Sequence, residues 1–278
     1  MGRRRWLLVL ALTFALLPQP TPRPAARATA RPIVVVAANQ SSNWSGYMQG
    51  RLEKGISFHA IAADWIVPKV KQRNAGEAET SLSWIGIGGG CLDAGCTIGD
   101  DTLIQAGIGH EVNDAGDPDY YAWWEIIPLP LQRTDPPLPV RAGDRVHVAI
   151  VESATTPELW TITIANLTLG QTFTHTLMYP SSFATAEWVI ERPVTISETG
   201  SVQVSPMPDL AVVHFDGASA NGAPANFVAS ERIEMVDIEL VDFTVSRVAM
   251  PSLPDREADG FKDCTYRKTC PVPGNDVK

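Results

Sequence analysis

Alternation of apolar and polar residues dominates the chain from about Asn43 onward. Val146-His-Val-Ala-Ile-Val-Glu152 alternates and then runs apolar, and Trp160-Thr-Ile-Thr-Ile-Ala165 keeps a strict alternation rich in β-branched residues. Thr172-Phe-Thr-His-Thr-Leu177 and Ala211-Val-Val-His-Phe215 follow the same pattern. Side chains that alternate in this way stand on opposite faces of a half-buried strand. Gly, Pro, Asn and Asp break the runs every ~10–15 residues, a spacing that predicts an all-β antiparallel two-sheet sandwich, of the jelly-roll kind, in a single domain. Weak helical spacing is confined to residues 225–235. No internal repeat is visible. After Met250 the text shifts to Pro251, Pro254 and charges, which predicts a tail laid on the body or projecting from it.

The first 30 residues read differently. Met1-Gly-Arg-Arg-Arg5 is a basic start, residues 6–17 form an apolar run of twelve broken only by Thr13, and Ala26, Ala28 and Ala30 offer small-residue cleavage sites. That is the layout of an export signal, too short to cross ~30 Å of hydrocarbon as a helix. The expected organisation is a signal peptide at 1–30, a short segment at 31–42, the sandwich at 43–250 and a tail at 251–278. Charge follows the same division. The whole chain has 22 basic and 31 acidic side chains, a net −9, and removing five N-terminal Arg leaves 17 − 31 = −14 over 248 residues. Such a surface argues against nucleic acid, whose phosphates need clustered Lys and Arg, and against anionic lipid. A secreted protein, soluble once the signal is removed and acting as a monomer, is the expectation.

Export makes the four cysteines readable as two local disulfides, Cys91 with Cys96 and Cys264 with Cys270. A zinc site of four thiolates is the alternative, disfavoured because the second pair has five intervening residues against the usual about two to four. Asn39, Asn43 and Asn166 begin glycosylation sequons. Several catalytic signatures fail. His110-Glu111 lacks a second His, since Asp114 stands in its place, and no G-x-S-x-G elbow occurs. Gly86-Ile-Gly-Gly-Gly90 leads into a Cys-closed loop rather than a helix, so it reads as a turn or a close backbone approach.

Strand phase places another set of residues. In Ala186-Glu-Trp-Val-Ile-Glu191, Glu187, Val189 and Glu191 share a face opposite Trp188 and Ile190. Gln105 points away from Ile104 and Ala106, while Tyr121, Trp123 and Glu125 point one way together. A carboxylate, an amide and aromatic walls on apolar strands suit a cleft. Equally, Glu187, Glu125 and Gln105 could be solvated residues on an outer face, which antiparallel sheets tolerate; strand phase leaves both open.

Six motifs occur in order: Ser42-Asn-Trp-Ser-Gly-Tyr47, Ala63-Asp-Trp-Ile-Val-Pro68, Ser83-Trp-Ile-Gly-Ile87, Leu103-Ile-Gln-Ala-Gly107, Tyr121-Ala-Trp-Trp-Glu-Ile-Ile-Pro128 and Ala186-Glu-Trp-Val-Ile-Glu191. Together they resemble the glutamic peptidase (eqolisin) family over most of the chain beyond the signal. The resemblance implies a concanavalin-like sandwich and an endopeptidase of acidic pH acting on proteins or peptides. It implies Gln105 and Glu187 as the catalytic pair, with no cofactor, no metal and no covalent intermediate. Glu187 would act as general base on a water, and the Gln105 amide would steady the oxyanion. A Glu near its reference pKa of about 4.3 is half ionised only in acid, provided burial does not raise it. Trp84, Trp123 and Glu125 would line the substrate cleft, and Trp44, Trp65 and Trp188 read as core. Gly88 and Gly109 stand where fungal members have Asp, so two carboxylates are missing. A non-catalytic binding module is one rival. Another is a carbohydrate-binding sandwich or glycoside hydrolase, with Glu125 and Glu187 about 5–5.5 Å apart as a retaining pair.

Overall fold

The computed structural model describes residues 33–92, 98–196, 202–238 and 244–274. The expected signal peptide and Cys96 lie outside the described residues. Thirteen strands of five or more residues carry the fold. They are β1 (Trp44–Gly50), β2 (Ala60–Ile66), β3 (Glu79–Gly88), β4 (Leu103–Val112), β5 (Pro118–Ile126), β6 (Arg145–Glu152), β7 (Leu159–Asn166), β8 (Gln171–Met178), β9 (Thr185–Glu191), β10 (Val212–Ala220), β11 (Arg232–Ile238), β12 (Val245–Pro251) and β13 (Phe261–Thr265).

Antiparallel ladders order a front sheet as β5-β4-β3-β9-β1-β11. The back sheet runs β8-β7-β6-β2-β10-β13-β12. Strand β11 joins the two: its first residues pair with β1, and Met235 to Ile238 pair with β12. The chain therefore folds into the expected all-β sandwich. One continuous apolar core fills it, with Ile85, Ile104, Ile108 and Trp188 from the front packing with Trp65, Val148, Ile162 and Phe215 from the back. The back strands behave as their alternation predicts: in β6, Val146, Val148 and Ile150 are buried while Arg145 and His147 are not. The middle front strands differ. Strand β9 is buried at every position, and β4 at all but Glu111, so the outer face of the front sheet is covered as well.

Two sequence expectations change. The helical spacing at 225–235 yields only the 3-10 turn Ala229–Glu231 before β11 begins at Arg232. In β11 the buried Ile233, Met235 and Val236 meet strands on both sides, and that packing overrides a weak local preference. The stretch expected as a tail supplies β13, which lies between β10 and β12 with Phe261, Asp263 and Cys264 fully buried. A five-residue strand with a Lys and an Asp in it carries too little apolar signal to stand out. Cys264 and Cys270 form a disulfide that ties the end of β13 to the chain beyond it. Cys91 is also disulfide-bonded.

Candidate active site

Strand register brings the singled-out residues into one row. On the outer face of the front sheet, Glu125 pairs with Gln105, Gln105 with Gly86, Gly86 with Glu187 and Glu187 with Met48. At about 4.8 Å per strand, Gln105 and Glu187 are roughly 10 Å apart and Glu125 and Glu187 roughly 14 Å. Gly86 puts no side chain between Gln105 and Glu187.

These are not solvated outer-face residues. Glu187 is 0% exposed and Gln105 4%. Their shared face carries a second apolar cluster of Trp44, Leu82, Leu103, Trp84, Trp123 and Val189, joined by Ile127. Trp44 and Trp84 meet edge to face at 4.9 Å. Over this floor lies a cavity of about 130 Å³ whose wall includes Trp44, Leu82, Gln105, Tyr121, Glu125 and Glu191. Trp44, expected in the core, is buried but belongs to the cleft face. Trp84 and Trp123, expected to line the cleft, are wholly buried in its floor. Trp65 and Trp188 lie in the core between the sheets, as expected.

The apolar floor sets the electrostatics, because an ionised carboxylate in such surroundings is poorly solvated. Burial pushes Glu125 up to about 7, although the Gln105 amide and the backbone N–H of Leu131 pull the other way. Burial, helped by the charge of Glu125, pushes Glu191 up to about 8. The indole N–H of Trp84 donates to Glu191 Oε2 at 2.8 Å and holds it in place. Glu187 is raised well above the usual carboxylate range, first by burial and then by the charge of Asp100, with the Thr185 hydroxyl opposing. Neither Glu187 oxygen reaches a partner in hydrogen-bond geometry among the described residues.

Contacts divide the row. Gln105 Nε2 donates to Glu125 Oε2 at 2.6 Å, and Gln105 Oε1 has no partner among the described residues. Glu187 does not reach the Gln105 cavity. The turn after β3 covers it: a Cβ on Gly90 would lie 2.7 Å from Glu187 Oε1. That turn is held by Gly90 N–H donating to Thr185 Oγ1 at 3.2 Å and Cys91 N–H to the Met48 sulfur at 3.3 Å. Among the described residues, one carboxylate group could hold a cation, Asp216, Asp255 and Asp259, and none of the three is on this row.

A profile of the peptidase A4 family matches residues 42–252. The chain belongs to the peptidase A4 family. It is therefore a glutamic-type peptidase, a hydrolase. Aspergillopepsin-2 of Aspergillus niger is 27% identical over 221 residues, which span 72% of this chain and 71% of the fungal protein. Among solved structures, scytalido-glutamic peptidase with a peptide-based transition state analog superposes with a TM-score of 0.55 at 20% identity, over 81% of this chain and 98% of that one. SCP-B, an eqolisin-family peptidase in complex with the tripeptide Ala-Ile-His, gives 0.52 at 19% identity over 81% and 98%. At those identities the likeness is one of fold.

In this A4 peptidase, neither Gly88 nor Gly109 has room for an Asp side chain. Gly88 has φ +94°, and a Cβ there would lie 2.1 Å from the Thr102 carbonyl oxygen. At Gly109 a Cβ would lie 2.2 Å from Tyr121 Cζ. The Tyr121 ring is held there from outside by the Arg133 guanidinium, 3.7 Å from its centroid. Gly109→Asp is therefore expected to cost about 1–3 kcal/mol by overpacking. Adding Tyr121→Ala should recover much of that loss, which a double-mutant thermal unfolding cycle measures. A Gly109→Asp variant as stable as its parent would show that the ring yields freely. A different buried carboxylate serves this end of the site. Asp100 accepts from the Thr102 N–H at 2.9 Å and from the Ser182 hydroxyl, and its charge reaches Glu187. No motif marks Asp100 in the sequence. Glu191 was visible as a same-face neighbour of Glu187, but nothing in the pattern gave it a role.

Proposed function

We propose that the chain is a secreted acid endopeptidase in which Glu187 and Gln105 act together on a water and a peptide carbonyl. The observation that carries this reading is the row itself, with both residues on one covered face and only Gly86 between them. Glu187 takes a proton from water as the water oxygen bonds to the carbonyl carbon. The Gln105 amide has two N–H groups. One is held by Glu125, which leaves the second to donate to the oxyanion and Oε1 to accept from the attacking water. Glu187 then returns the proton to the amide nitrogen as the C–N bond breaks, and an acid and an amine leave.

The covering turn sets a condition. Under Gly90, Glu187 is held protonated by burial and cannot serve as a base. Substrate entry that shifts the turn and admits water lowers its pKa toward the ordinary acid range, and turnover begins there. Secretion rests on the basic, apolar and small-residue layout of the first 30 residues. Gln105→Ala is expected to lower kcat on acid-denatured protein by about 10²–10³-fold with little change in thermal midpoint. Full kcat in that variant would remove the amide from the mechanism.

A further inference from the structure

Beyond Glu187 the row continues to Met48, and Met48 forms one wall of a cavity of about 390 Å³. Its other apolar walls are Ile33 and Val35 from the N-terminal segment and Val228 and Ile233 from around β11. Polar groups in the lining are largely committed. Lys54 Nζ is 2.6 Å from Glu231 Oε1, and Glu231 Oε2 also accepts from Gln49 Nε2 at 3.2 Å. The volume is at the lower end of the range for sites that enclose small ligands, about 300–1,000 Å³.

We infer that this cavity is a substrate subsite of the peptidase, taking one bulky apolar side chain such as Leu or Phe. The inference rests on the Gln105–Glu187 reading, because that reading puts the scissile bond between those residues. Three observations support it. The cavity adjoins the catalytic row, since Met48 in its wall is the register partner of Glu187. Two strand spacings, about 9.6 Å, separate Met48 from Gly86, over which this reading puts the scissile bond, against about 3.3 Å per residue of extended peptide, so the side chain entering the cavity belongs to a residue about three from that bond. The lining disfavours an acidic side chain, which would face Glu53, while Glu231 is already engaged by Lys54. An apolar side chain meets Ile33, Val35, Val228 and Ile233 and leaves water, which is favourable.

The test is a peptide series varied with Ala, Leu, Phe, Asp and Lys at the three positions on each side of the cleaved bond, with kcat/KM measured for each. The parent should prefer Leu and Phe over Ala at one position two or three residues from that bond. Ile233→Phe fills the cavity from its floor and should lower the Leu-to-Ala ratio there by about tenfold. Ile233 is only 4% exposed, so Val228→Trp at the rim, where 49% of the side chain is exposed, is the companion variant. It should shift the same ratio in the same direction. Ratios within twofold of the parent at every position, in variants that fold and turn over, would overturn the subsite and leave the cavity to another occupant, such as the chain's own upstream segment. Glu187→Gln is run beside them. If it remains active the Gln–Glu reading fails, whereas the ratios in the cavity variants report on the subsite alone.

Discussion

Glu187→Gln is expected to lower kcat on acid-denatured protein by about 10²–10⁴-fold, the range for losing a general acid–base group. It is expected at the same time to raise the thermal midpoint at pH 7. The two effects have separate causes. Gln keeps the shape but cannot exchange a proton with water or with the leaving amine. Stability rises because burial, outweighing the opposing Thr185 hydroxyl, holds the parent carboxyl well above its ordinary pKa. Above about pH 4.5 the unfolded chain ionises while the folded one does not, so the parent loses stability as pH rises toward the folded pKa. Gln has no such dependence. The gain should therefore be near zero at pH 4 and grow with pH, as unfolding curves at a series of pH values would record. A variant within twofold of parental kcat would end the proposal for Glu187. A midpoint difference that ignores pH would mean that the carboxyl is hydrated in the resting protein.

Strand phase was the reliable part of the sequence. Val146, Val148 and Ile150 face inward as their alternation requires, and the same rule groups Glu187 with Glu191 and Glu125 with Trp123 strand by strand, whereas the register brings them and Gln105 to one face. Phase cannot say what lies over a face. Trp84 and Trp123 have apolar neighbours in sequence and Trp44 lies between Asn43 and Ser45, yet all three are wholly buried on this face. Which of them is wall and which is floor depends on Leu82, Leu103 and Val189, brought together from β3, β4 and β9. Asp100 was invisible for a related reason. It reaches the site through a turn held by Thr102 and Ser182, and Ser182 is distant in the chain. Strand β13 was missed because its burial comes from its neighbours β10 and β12 rather than from its own composition. The cavity beyond Met48 combines the N-terminal segment with residues around β11, a pairing that no local pattern encodes.

Asp263→Asn is expected to make the fold more resistant to neutral and alkaline pH without touching the cleft. Asp263 points from β13 into the space between the sheets, where it accepts from the Ser45 hydroxyl of β1 at 2.9 Å. Its second oxygen has no partner among the described residues. Burial pushes it up to about 8, with Glu234 adding to the rise and the Ser45 hydroxyl and Cys264 N–H opposing. A folded pKa above the unfolded one gives stability that is complete below about pH 3.8 and is lost as pH climbs toward 8. Glu191 and Glu125 act in the same direction, between about 4.5 and their raised values of about 8 and 7. His110 acts in the opposite one. Fully buried between Ser81 and Ser83, it is lowered from 6.5 to about 3, so its neutral form supports the fold above pH 6.5 and that support is lost as pH falls toward 3. Between about pH 4.5 and 7 these three carboxyls outweigh one imidazole, so stability is expected to fall as pH rises through that interval. At pH 7 the Asn variant should gain on the order of 4 kcal/mol over its parent. Its amide oxygen can still accept from Ser45, so at pH 3.5 the two proteins should unfold together. Equal midpoints at pH 7 would mean that Asp263 ionises in the folded protein, and that the acid preference of this fold arises elsewhere.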